Sequence, residues 1–244
     1  MEPTNVLVIF ANPKGLPNLD LSMEDRVIRE CIVRSKFREY IKSEVRHAAT
    51  IHDVRRALQE FSCRILHFSG HGTEEGLAFE DESGKMKFVA IEALAQLLSA
   101  HSPPLEAVLI NACNPEPESG GTDLGVPYTL SVKGRIADQA AIEFTRGFYD
   151  AIGAGESIEF AYDEGCHAMR LTGYSEAGEP VLFRNSNACR RFKTEGKSFE
   201  KSARGKKEPK GENRVNRGSI TVKGNGNVTA FNIQDTNINI HNQK

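Results

Sequence analysis

The 244-residue sequence has no run of 18 apolar residues, so no stretch has the length and hydropathy of a membrane-spanning helix, and no membrane partner is expected. Two cysteines at CxxC spacing are also missing. The five cysteines, at positions 31, 63, 113, 166 and 189, form an odd, scattered set, which argues against a zinc ribbon or a disulfide framework. No signal-peptide pattern precedes the first apolar strand, and a reducing cytoplasm is the expected compartment. Net charge is nearly absent, at −2. That balance hides an asymmetry. Residues 190–217 carry 11 Lys/Arg against 4 Asp/Glu, a net of +7, while residues 1–189 carry −10. An acidic globule tethered to a basic segment suggests an interaction tail or linker. The basic segment lacks interleaved aromatics, having only Phe192 and Phe199, so nucleic acid is not the expected partner; an affinity that falls with salt would say otherwise.

Apolar residues make up 39% of the chain, enough for one α/β domain with an appendage. Residues 5–10 read as a first strand, followed by a Pro/Gly-punctuated loop. Met23–Lys36 reads as an amphipathic helix with Val27, Ile28, Cys31 and Ile32 on one face; Ser22, Glu24 and Asp25 suit its N-terminus. Glu44–Ala49 reads as a strand and Thr50–Glu60 as a helix capped by Thr50. Residues 64–69 read as a third strand, and residues 76–89 as a hairpin about Glu82-Ser83-Gly84. Helices are predicted over Ile91–Ala100, Ala137–Ile152 and Glu156–Leu171. Further strands are predicted over Ala107–Asn111, Tyr128–Val132 and Val181–Phe183. This alternation predicts a mainly parallel sheet covered by helices on both faces.

The chain is organised around Arg64-Ile-Leu-His-Phe-Ser-Gly-His-Gly72. An apolar strand ends in Gly70-His71-Gly72, whose glycines allow a sharp turn at the strand's C-terminal edge, where ligands bind in open α/β sheets. A second apolar strand, residues 107–111, runs into Ala112-Cys113. If the two strands are neighbours, imidazole and thiol meet at one edge. That is what a thiolate nucleophile needs: a base for its proton and an open face for a carbonyl. Alone, a cysteine ending a buried strand is more often an inert core thiol, and the plain reading of His71 is an exposed loop histidine. His67, inside the strand, reads as a hydrogen-bonded core histidine. No carboxylate stands at ligand spacing to His67, His71 and Cys113, so no metal and no cofactor is expected.

Strand-Ser-Gly-His-Gly followed by strand-Asn-Ala-Cys resembles the CHAT branch of the caspase-like cysteine peptidases, relatives of caspases and separase. Residues 6–13 resemble the family's opening strand and loop, and residues 138–144 and 147–149 its later helix; the similarity covers about residues 5–185. The resemblance implies a caspase-like α/β fold and a cysteine endopeptidase. His71 would be the base and Cys113 the nucleophile, with the backbone N–H groups of Gly72 and Cys113 receiving the oxyanion. It also implies a protein substrate and a setting in bacterial defence or programmed death. Asp138 has two readings: an acid at a helix N-terminus, or, by likeness to separase, the carboxylate that receives a basic P1 side chain. The chain departs from the family at residues 114–121, Asn-Pro-Glu-Pro-Glu-Ser-Gly-Gly, which cannot make a regular helix; this segment reads as a modified substrate loop.

The expected organisation is a peptidase domain over residues 1–189, a flexible basic linker over 190–217 and an Asn/Gly-rich β-forming tail over 218–244. Three short alternating runs in the tail, with Asn between them, resemble bacterial amyloid-like signalling motifs. The tail is therefore a candidate docking element for an upstream sensor or effector; a frayed end, or strands added to the peptidase sheet, are the alternatives. A different function also fits: a signalling adaptor whose peptidase-like domain is idle.

Overall fold

The computed structural model describes residues 3–73, 76–112, 122–134, 136–174, 178–193, 220–224, 227–234 and 237–242. These fall into two units, divided between residues 203 and 204.

The first unit is built on a six-stranded sheet in the order β2-β1-β3-β7-β8-β9. Its strands are β1 (Thr4–Phe10), β2 (Ile41–Arg46), β3 (Ile65–Ser69), β7 (Ala107–Asn111), β8 (Tyr128–Lys133) and β9 (Glu179–Arg184). All neighbours pair in parallel except the edge pair β8–β9. Parallel strands need helical crossovers, and these cover both faces. One face packs against α1 (Leu21–Arg34), α4 (Asp138–Ala154) and α5 (Ile158–Leu171), burying Val6, Val8, Ile65 and Leu109. The other packs against α2 (Ile51–Glu60) and α3 (Ile91–Ser99), burying Leu7, Ile9, Leu66 and Val108. The period-2 alternation of each strand divides its side chains between these layers. A small antiparallel sheet projects beyond β3: β4 (His71–Thr73), β5 (Gly76–Glu80) and β6 (Met86–Ala90).

Several boundaries move for local reasons. Helix α1 begins before Met23 because Asp20, rather than Ser22, is its cap; the Asp20 side chain accepts from the Met23 N–H. Strand β2 starts and ends early. A 3₁₀ turn, Arg38–Tyr40, feeds directly into it, and Ala48 beyond its end has a left-handed φ of 49°. Thr50 caps α2 through a complete capping box with Asp53. A helix over residues 186–193, here α6, was not foreseen and crosses the expected boundary at 189. Asn185 caps it, its Oδ1 accepting from the N–H groups of Asn187 and Ala188, while its Nδ2 donates to Asp123. No helix among the described residues is long and apolar enough to cross a membrane.

The second unit is an antiparallel meander of β10 (Ile220–Gly224), β11 (Asn227–Gln234) and β12 (Asn237–Asn242); the three alternating runs are strands, and they pair with one another.

Helices α4 and α5 approach each other closely at Gly147. A Cβ there would lie 2.3 Å from the Glu164 carbonyl oxygen. In an ordinary helix Gly→Ala stabilises by about 0.5–1 kcal/mol. Here the sign should reverse. Gly147→Ala is expected to lower stability by roughly 1–3 kcal/mol, read as a fall in Tm, because the backbone must move to admit the methyl. An unchanged or raised Tm would contradict this packing.

Candidate active site

Strands β3 and β7 are adjacent and parallel, with Ser69 opposite Asn111. The strand ends that precede His71 and Cys113 therefore lie side by side, about 5 Å apart. The chain leaves β3 through Gly70, whose N–H donates to the Asn111 carbonyl at 3.1 Å. A Cβ on Gly70 would sit 2.7 Å from the Ala11 carbonyl oxygen and 2.9 Å from the Phe68 ring, so a side chain has no room there.

His71 opens β4 and is half-buried. Its Nε2 lies 2.9 Å from the Pro17 carbonyl. A carbonyl only accepts, so Nε2 carries a hydrogen here, which in the neutral ring leaves the lone pair on Nδ1. Gly72 follows in β4, opposite Leu77 of β5. Cys113 lies outside the described residues, as does the departing segment 114–121. The two flanks of that stretch are buried: Ala112 before it, and Thr122, Leu124 and Val126 after it. Asp138 is the first residue of α4 and is exposed. It does not cap its own helix, whose cap residue is Ala137. Its Oδ2 instead accepts the N–H of Asp20, the cap of α1, at 3.3 Å. His71 and Asp138 line the same cleft, together with Asp20, Glu24, Asn111 and Ala112.

Beneath this cleft lies a polar cluster of which the sequence reading recognised only His67. Residues Ile65, His67 and Ser69 of β3, and Ala107, Leu109 and Asn111 of β7, point to the α1/α4 face. The polar members lie toward the strand ends. Glu24 of α1 is 3% exposed and meets them. Its carboxylate accepts from Ser69 Oγ at 2.5 Å, Asn111 Nδ2 at 2.5 Å and Thr145 Oγ1 at 2.9 Å. His67 Nε2 lies 3.2 Å from Glu24 Oε1, an electrostatic contact that lacks the alignment of a full hydrogen bond, while His67 Nδ1 is 3.1 Å from the Tyr149 hydroxyl. Glu24 was read as a helix-terminal acid. The available signal was its spacing: Glu24, Val27, Ile28 and Cys31 share one helical stripe, and all four are buried.

Burial alone would raise the Glu24 pKa. The His67 imidazole and the hydrogen bonds from Ser69 and Asn111 outweigh it, and the net shift is downward. The remaining cysteines are poor nucleophiles where they are enclosed: burial pushes Cys31 and Cys63 up to about 12 and also raises Cys166.

The CHAT domain family model matches residues 4–172. The chain belongs to the CHAT domain family. A Roc-COR-CHAT protease from an unknown prokaryotic organism is 22% identical over 181 residues, covering 71% of this chain and 17% of that protein. The chain thus spans less than a fifth of that relative's length. Caspase-1 from Spodoptera frugiperda shares the fold with a TM-score of 0.50 at 12% identity, over 76% of this chain and 87% of the caspase chain. The mainly parallel sheet and its flanking helices are the caspase-like architecture.

A depressed carboxyl pKa contributes stability that is present above the unfolded value, about 4.3, and is lost as pH falls through the folded value. Denaturant titrations should therefore show wild-type stability declining below about pH 4 more steeply than that of Glu24→Gln, which has no carboxyl to protonate. Parallel acid limbs would mean that Glu24 is not held ionised in the fold.

Proposed function

We propose that the chain is a cysteine endopeptidase acting through His71 and Cys113. His71 Nδ1 takes the thiol proton and the thiolate attacks a peptide carbonyl carbon, forming a C–S bond as the carbonyl electrons move to oxygen. The N–H groups of Gly72 and Cys113 receive that oxyanion, each such donor being worth about 10²–10³ in rate. Collapse expels the amine, which takes the proton from His71. Water, deprotonated by the same nitrogen, then hydrolyses the thioester and returns the thiol. The observation that carries this reading is the His71 ring, turned with Nε2 to the Pro17 carbonyl, on the segment that leaves β3 beside the strand that precedes Cys113.

Asp138 serves as the specificity carboxylate in this reading, selecting Arg or Lys at P1. Its exposure on the wall shared with His71, and the acidic charge of residues 1–189, support a cationic side chain there. Asp138→Asn tests this without breaking the contact to Asp20, because the amide oxygen still accepts. A proteome-derived peptide library should show cleavage after Arg and Lys falling roughly 10–100-fold, the worth of a charge-assisted hydrogen bond. Unchanged cleavage would leave Asp138 only its bond to α1. Cys113→Ala should abolish cleavage altogether. Partner processing that survives Cys113→Ala would favour the idle adaptor instead.

The substrate in this reading is a dedicated partner protein in a bacterial defence or cell-death system, reached from the cytoplasm. The tail, residues 218–244, acts as a β-recruitment element joined by the basic stretch that follows α6; its pairing into a three-stranded meander supports a strand-based contact. Recruitment raises local concentration without altering the dyad. Truncation after Arg217 should leave hydrolysis of short peptides unchanged and sharply reduce processing of a co-expressed partner; full processing would remove the role.

A further inference from the structure

The Glu24 carboxylate joins the ends of the two strands that lead to His71 and Cys113. Its Oε2 takes the Ser69 hydroxyl, two residues before His71. Its Oε1 takes the Asn111 amide, two residues before Cys113, and Thr145 of α4. The two strand residues are direct register partners, so one carboxylate bridges the last rung of the β3–β7 ladder. Backbone pairing continues for one more bond, Gly70 N–H to Asn111 carbonyl. Among the described residues that bond is the last backbone pairing between the two segments before the candidate catalytic groups.

We propose that Glu24 is a positioning residue: it clamps the ends of β3 and β7 from below and so sets the distance between His71 and Cys113. This rests on the peptidase reading of those two residues. The clamp is rigid because both sides are buried. Ser69 and Asn111 are 3% and 4% exposed, and burial leaves their polar hydrogens few partners besides the Glu24 oxygens and, for Asn111, Thr145. Glu24 itself is held by α1, whose cap Asp20 is bonded to Asp138 across the cleft, so the clamp and the specificity wall share one helix end. Loss of the carboxylate releases two strand ends at once. A displacement of about 1 Å between reacting groups costs on the order of 10²-fold in rate.

The test uses the full chain and iodoacetamide, with alkylation at each cysteine followed by peptide mass spectrometry, so no substrate is required. Glu24→Ala and Ser69→Ala are expected to slow Cys113 alkylation at pH 7 by about tenfold, and to move the pH midpoint of labelling toward that of free cysteine, roughly 8.5. Glu24→Gln should recover part of the rate, because a turned Asn111 amide can still meet it. Ile152→Ala removes buried volume fourteen residues along α4 from Asp138, about 20 Å from the site end. It should lower Tm while labelling at the wild-type rate. Wild-type labelling in a folded Glu24→Ala or Ser69→Ala protein overturns the clamp, as does equal slowing in Ile152→Ala. If Glu24→Ala does not fold, Ser69→Ala decides. His71→Ala separates the two levels. If it labels as fast as wild type, the dyad itself fails and the clamp with it. If it labels slowly while Ser69→Ala does not, the clamp alone fails.

Discussion

A carboxylate buried where α1, α4 and two strand ends converge is the constraint on which the site geometry rests. Taking such a group out of water costs several kcal/mol, and the cost is offset only if its lone pairs are filled. Ser69, Asn111 and Thr145 fill them, with the His67 imidazole close by. Each of these donors comes from a different part of the chain, so the cluster can form only when strand register, helix rotation and sheet order are all correct. The same requirement makes it a specificity device: a slip of one residue in β3 or β7 would turn Ser69 or Asn111 to the opposite face and leave the carboxylate unpaired.

The cleft above inherits its shape from this arrangement. One wall is the turn at Gly70 with His71. The other is the junction where the first residue of α4 meets the cap of α1 through the Asp138–Asp20 bond. The imidazole is oriented by a backbone carbonyl, that of Pro17, rather than by a carboxylate. A carbonyl fixes the direction of the ring without placing a negative charge beside it. Pro17 lies in the loop that leads into α1, so the contacts of His71, Asp138 and the two strand ends all converge on residues 17–24.

On the far side, α6 binds the stretch that follows residue 121. The Asn185 side chain reaches Asp123, its N–H donates to the Pro127 carbonyl, and Arg191 reaches the Gly125 carbonyl. The loss of apolar residues after Asn187 gives this helix no signature in the sequence. It is held by a cap and by contacts to backbone carbonyls, which leave no hydrophobic stripe in the sequence.

By itself the sequence determined the layer architecture, because apolar strands of four to six residues alternating with amphipathic helices admit few other arrangements. It also determined the turn at Gly70, the cap at Thr50 and the extended conformation of the tail runs, all of which depend on neighbours within a few residues. It pointed to His71 and Asp138 as residues of one site, although nothing local says that they share a cleft. Tertiary structure alone decided that β3 and β7 are adjacent, that the Asp138 carboxylate bonds to α1 rather than capping α4, and that Glu24 is a buried anchor rather than a solvated helix-end acid. The reason is physical. Capping and turn formation are governed by bonds of short sequence separation. The burial of a charge depends on donors 45, 87 and 121 residues away, which only the assembled sheet and helices bring within reach.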